Sequence, residues 1–258
     1  QLSTFVLFPV ILLILMKLFG ANGNELFWLG AFYVAALPST VSSSVVMVSI
    51  AGGNIPAAIF NASISSLLGV FITPLWMGIV LATSSQDFDL TDVIIKLIIQ
   101  VLVPVIIGIA LNARFGAFAD KHRKALRYSD QIVILLIIYT AFCESFSKHM
   151  FSNNGMSDIL ILGVCMISLF FIVYGIITFI SRMLHFNRED SITAVFCGSK
   201  KSLVHGTVMS KVLFPNTSSA GIILLPIMMY HALQLMAASI IAQSMARKGV
   251  KIEEVEAE

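Results

Sequence analysis

Residues 196–216 read FCGSKKSLVHGTVMSKVLFPN, and within this stretch the adjacent Lys200 and Lys201 are flanked on both sides by apolar and small residues. Arg188 on one side and Lys211 on the other bound the apolar span around the pair, so on a helix each lysine lies about eleven residues, roughly 16 Å, from either boundary. If the stretch crosses a bilayer, both ammonium groups sit near its middle. A lysine close to a helix end, such as Lys17 or Lys96, can reach the interface with its long stem, but two at the centre cannot both do so cheaply. They require protein or water around them.

The rest of the chain supports the membrane reading. Of its 258 residues 58% are hydrophobic and 12% charged, with a mean hydropathy of +0.94, which excludes an ordinary soluble domain. Eight apolar runs are long enough to cross about 30 Å of hydrocarbon. They cover residues 2–20, 26–50, 55–82, 90–112, 130–147, 157–181, 189–211 and 218–245. The runs are continuous and do not alternate, so they predict helices, not barrel strands, and an all-α polytopic membrane protein. Cys143, Cys165 and Cys197 fall within apolar stretches without metal-ligand spacing and are read as packed free thiols.

The net charge of +2 hides a segregation that predicts orientation. Arg114, Lys121, Arg123, Lys124, Arg127, Arg182, Arg188, Arg247, Lys248 and Lys251 fall on one side of the predicted membrane, whereas the opposite loops hold Asp87, Asp89 and Asp92 with only Lys148 and Lys211. The C-terminus, and by counting spans residue 1, is expected in the cytoplasm. The tail RKGVKIEEVEAE is expected to fray. Residue 1 is Gln, and the first run begins at once without a signal-peptide pattern, which reads as a truncated start.

A second polar interruption, LPSTVSSSVVMVSIAGGN at residues 37–54, shares a register with the first. Ser44-Val45-Val46-Met47 followed by Asn54 matches Gly206-Thr207-Val208-Met209 followed by Asn216, at a constant offset of 162. Each interrupted run is the second of a three-run unit, and the two units enter from opposite sides, the pattern of an inverted repeat. Pro38 removes a backbone donor and predicts a break. Ser39, Thr40, Ser42, Ser43 and Ser44 then offer hydroxyls and freed carbonyls to a cation or polar solute, although such residues also bond back to their own backbone. Asn61 and Ser65, four apart on the next span, can face the same place. Asn54 and Asn216 are expected to cap the following helices. Near the lysines, Ser202 and His205 share a face, as do His231 and Gln234 on the last span.

At these residues the chain resembles the bile acid:sodium symporter superfamily, specifically its SBF-like branch. The resemblance is carried by STFVLFP, LPSTVSSSVVMVSIAGGN, SSLLGVFITP, FCGSKKSLVHGTVMSKVLFP and LPIMMYHALQLM, spread over nearly the whole chain. It implies a ten-helix fold of two inverted five-helix repeats, of which helices three to ten are present and two are broken. On that template residues 1–82 form the first core repeat, with a broken helix at about 26–50. Residues 83–147 form part of a panel domain, 148–246 the second core repeat with a broken helix at about 189–211, and 247–258 a charged cytoplasmic tail. Sodium-coupled members carry an acidic residue and a Gln-Asn pair in the second broken helix. Here Phe196 takes the acidic position and Lys200-Lys201 the pair. Two ammonium groups offer donors and no acceptor, so they would repel sodium there.

The expected function is a secondary transporter of a small solute, an organic anion, working by alternating access in the inner (plasma) membrane. Its substrate or ion site is expected among Ser42, Ser43, Ser44, Asn61, Ser65, Lys200, Lys201, Ser202, His205, His231 and Gln234. No catalytic residue, metal ligand or cofactor is expected. Coupling to Na+ or H+ is open, with lysine charge standing in place of sodium. The expected partners are the solute and the lipid bilayer, with no nucleic acid and no obligate protein partner. Two rivals are a non-transporting regulator of ion homeostasis and an intramembrane hydrolase using Ser202 or Ser43 with His205.

Overall fold

The structure, a computed structural model, describes residues 1–19, 25–82, 90–147, 149, 155–214 and 220–256. Among the described residues every regular element is a helix. A π-helical turn Ser3–Leu7 leads into α1 (Phe8–Phe19), followed by α2 (Glu25–Ala36), α3 (Ser42–Ala51) and α4 (Ile55–Ala82). Then come α5 (Leu90–Leu97), a second π-helical turn Ile98–Leu102, α6 (Val103–Lys121) and α7 (Arg123–Ser147). The remainder is α8 (Met156–Met183), α9 (Arg188–Gly198), α10 (Leu203–Leu213) and α11 (Ala220–Glu256). Five stretches are long and apolar enough to cross a membrane: Ile55–Leu81, Thr91–Lys121, Lys124–Glu144, Ser157–Met183 and Ala220–Arg247. The chain is an all-α polytopic membrane protein.

The second apolar run is two helices. Pro38 lacks an amide hydrogen and disfavours helical geometry at Leu37, so α2 stops at Ala36 and α3 restarts at Ser42. Gly52, at φ +71°, ends α3 in the left-handed conformation that glycine adopts without cost. The seventh run is divided as well, between Gly198 and Leu203, with Ser202 capping α10. The divisions correspond. Ends of α2 and α9, at Ala36 and Gly198, are 162 residues apart, and so are the ends of α3 and α10, at Ala51 and Leu213.

Close packing holds the first break in place. α4 passes beneath Pro38 at Gly69, where an added Cβ would lie 2.7 Å from Pro38 Cγ and 2.9 Å from its Cβ. Gly69→Ala must therefore displace a rigid ring, an overpacking cost of about 1–3 kcal/mol. Gly175→Ala on α8 meets nothing within 4 Å. The first substitution is expected to lower the melting temperature of the purified protein in detergent, and the second to leave it unchanged or raise it.

Three expectations need correction. The basic stretch 112–130 is not a loop, because α6 runs on to Lys121 and α7 begins at Arg123 around a turn at His122. It contains no proline, and its Ala, Arg and Lys residues favour helix beyond the point where apolarity ends. For the same reason α11 continues through the charged tail to Glu256 instead of fraying after the membrane. Cys143 and Cys165 are free but exposed, on outer helix faces, and only Cys197 is packed inside. Asp87, Asp89, Lys148 and Asn216 lie outside the described residues. Asn54 does cap α4, accepting the Ala57 N–H at Oδ1, 3.0 Å away.

Candidate functional site

Where the two interrupted helices meet, the ends of α2 and α9 satisfy each other. A helix leaves its last four carbonyls without intrahelical partners, and inside a membrane protein each must find one. For α9 the partners are hydroxyls from other elements. Ser44 Oγ donates to Phe196 O (3.3 Å), Ser39 Oγ to Cys197 O (2.6 Å), Ser3 Oγ to Gly198 O (2.8 Å) and Tyr230 OH to Ser199 O (2.7 Å). For α2, Thr73 Oγ1 donates to Ala36 O (2.9 Å) and the Ser202 N–H to Pro38 O (3.0 Å). Lys201 completes this end: its Nζ donates to Ala35 O (2.7 Å) and Leu37 O (2.8 Å).

The two lysines differ sharply in their surroundings, although both side chains are 0% exposed. Lys201 Nζ makes a third bond, to Thr4 O at 2.7 Å, and lies 4.2 Å from the centre of the Phe8 ring. All three ammonium hydrogens are thereby used. The negative end of the α2 dipole and the ring face both favour the charge that burial penalises. Among the described residues Lys200 Nζ donates only to Ser43 O, at 2.8 Å, and it lies 5.7 Å from the centre of the Phe196 ring. Two of its hydrogens remain uncommitted. Among the described residues both lysines are bonded to backbone carbonyls, not to carboxylates.

Gln234 on α11 holds the unwound backbone between α9 and α10. Its Oε1 accepts from Lys201 N–H (2.9 Å), and its Nε2 donates to Lys201 O (2.7 Å). The same amide nitrogen lies 3.0 Å from His231 Nδ1 and donates to it, which places that imidazole's hydrogen on Nε2. Ser202 Oγ accepts from the His205 N–H (3.3 Å) and lies 2.9 Å from His205 Nδ1. That serine is a helix cap with its lone pair engaged. Ser65 Oγ accepts the Ser39 N–H at 2.9 Å and belongs to the crossing. Asn61, one turn earlier on α4, meets both the Gln1 side chain, its Oδ1 2.9 Å from Gln1 Nε2, and the Cys197 side chain at the end of α9.

The hydroxyl run divides in a similar way. Ser39 and Ser44 are buried and bonded to α9, Ser43 Oγ reaches only Thr40 Oγ1 at 3.3 Å, and Ser42 is exposed at the start of α3. No side chain caps α3, whose first intrahelical bond joins Val45 N–H to Val41 O. The amides of Ser42, Ser43 and Ser44 thus precede the helical ladder close to the Lys200 ammonium. Residues absent from the expected site are Thr4, Ala35 and Leu37, which act through their carbonyls, and Tyr33 and Tyr230, whose hydroxyls donate to Gly206 O (2.6 Å) and Ser199 O (2.7 Å). Only Tyr230 had a readable signal, since it lies four residues before Gln234 on the same helix face.

Two helices unwound at membrane depth, joined at their breaks within a bundle of spanning helices, form the construction of a membrane transporter. The chain belongs to the SBF-like CPA transporter family, which matches residues 1–247. It is 41% identical over 245 residues to an uncharacterised protein of Pseudomonas aeruginosa, covering 95% of this chain and 73% of that one. It is 37% identical over 251 residues to YfeH of Escherichia coli, provisionally described as a symporter, covering 97% and 75%. Identity to sodium/bile acid cotransporter 7 of Danio rerio is 30% over 254 residues, covering 95% and 73%. The protein is therefore a membrane-embedded transporter of small solutes and not an enzyme, which sets aside the hydrolase reading of Ser202 and His205.

Proposed function

We propose that the protein moves a small organic anion by alternating access, and that Lys200 meets the anionic group. The observation that carries this reading is a buried ammonium with one hydrogen committed, to Ser43 O, beside the uncapped first turn of α3. A helix N-terminus and an ammonium group with spare donors favour the same ligand charge. The first turn of α10, after the second break and capped by Ser202, adds His205 Nε2–H as a further donor once Ser202 Oγ–H is donated to Nδ1.

Access requires motion in this reading, because Lys200 has no exposed surface. The equal 162-residue spacing of both pairs of helix ends supports two structural repeats of opposite orientation, which can rock against the rest of the bundle. In that arrangement residues 1–82 and 148–246 form the moving core and 83–147 contribute to the panel. The excess of Lys and Arg in alternate connections supports a cytoplasmic C-terminus in the inner (plasma) membrane. Because a relative is named as a bile acid cotransporter, an amphipathic anion is one substrate to try.

The test is counterflow in proteoliposomes, with radiolabelled organic anions, including a bile acid, compared with neutral solutes of similar size. Exchange of one or more anions and of no neutral solute supports the proposal. Ligand binding without any movement would favour a regulator that retains the fold and lacks flux.

A further inference from the structure

The structure assigns Lys201 a role distinct from that of its neighbour: its ammonium is a tethered cation that permanently fills a monovalent-cation site built from the carbonyls of Thr4, Ala35 and Leu37. Three carbonyl oxygens from two separate segments, the N-terminal π-helical turn and the end of α2, converge on one nitrogen at 2.7–2.8 Å. Inward-turned carbonyls are the means by which proteins replace the hydration shell of a monovalent cation. Phe8 closes the remaining side with its ring face, 4.2 Å from Nζ, and among the described residues no carboxylate bonds this ammonium. Three acceptors call for three N–H donors, which only the protonated amine supplies.

The lysine backbone is fixed independently at both its N–H and its C=O by Gln234, so the tether starts from an anchored point. The cage also joins elements otherwise distant in sequence: Thr4 and Lys201 are 197 residues apart, and Ala35 and Lys201 are 166 apart. Removing the ammonium leaves three buried carbonyls with a partner lost, and these are then available to a cation from solution. A resident ammonium, in turn, leaves no vacancy for a coupling ion. This deepens the transport reading and rests on it only for that last consequence.

The cage is tested without transport. Lys201→Ala cuts the side chain at Cβ, and the missing piece is propylammonium. The alanine variant of the full chain in detergent is expected to melt well below the wild type. Propylammonium chloride is expected to restore most of the lost melting temperature in a concentration-dependent manner, whereas propanol and tetramethylammonium chloride at equal concentration are not. Lys201→Met, which keeps the stem and fills the space, is expected to melt low and to respond to none of the three. A methionine variant as stable as the wild type, or an alanine variant that gains nothing from propylammonium or as much from propanol, overturns the assignment. If the alanine chain does not fold, amine acylation of the wild type followed by peptide mapping decides. Labelling of the exposed Lys211 with Lys201 spared supports the filled cage, and labelling of Lys201 overturns it.

Discussion

Lys200→Gln is expected to weaken binding of the transported anion by about 10- to 100-fold, the worth of one charge-assisted hydrogen bond of ~1.5–3 kcal/mol. The fold should tolerate it. The native ammonium contributes one bond, to Ser43 O, which a glutamine amide can also make, and the substitution removes a buried charge without a carboxylate partner. Lys200→Arg keeps the charge and is expected to retain more binding than the glutamine variant. Anion binding to purified protein, measured beside its melting temperature, checks both halves. Loss of binding with unchanged melting identifies a ligand-reading group, whereas lost melting with retained binding would assign Lys200 to the scaffold.

Gln234→Leu is expected to have the opposite profile, a large loss of stability. The side chain is buried and serves the Lys201 N–H and C=O together, and leucine would strand both in the unwound segment between α9 and α10. At about 1–3 kcal/mol for each unsatisfied group, the cost is about 2–6 kcal/mol. Gln234→Glu is isosteric, keeps the acceptor for the Lys201 N–H and loses the donor to its C=O, so it should fall between leucine and the wild type. Thermal unfolding in detergent checks the order. A leucine variant that melts like the wild type would show that the backbone at Lys201 finds other partners.

Much of this was legible in the sequence because the bilayer imposes simple rules. Apolar length located the helices, Pro38 located the first break, and the depth of Lys200 and Lys201 marked the second as unusual. The 162-residue register, read from a few matched side chains, recurs in the ends of α2 and α9 and of α3 and α10. What could not be read was the difference between two adjacent lysines. It depends on carbonyls, and the backbone of Thr4, Ala35 or Leu37 carries no signature in residue type. The run of hydroxyls was misleading for a related reason. Ser39 and Ser44 look like solute ligands in sequence, yet they complete the end of a helix more than 150 residues away, bonding Cys197 and Phe196 across separations of 158 and 152 residues. The α6–α7 junction was missed because hydropathy marks where the membrane ends, and helix continues beyond that point.

The central claim is that this family member carries its cation in its own chain. The most direct test is uptake of the anion identified by counterflow into proteoliposomes, with sodium replaced by choline and with or without an imposed proton gradient. The account predicts the same initial rate in sodium and in choline. Uptake that requires sodium would contradict it, because a site filled by the Lys201 ammonium leaves no place there for a coupling ion.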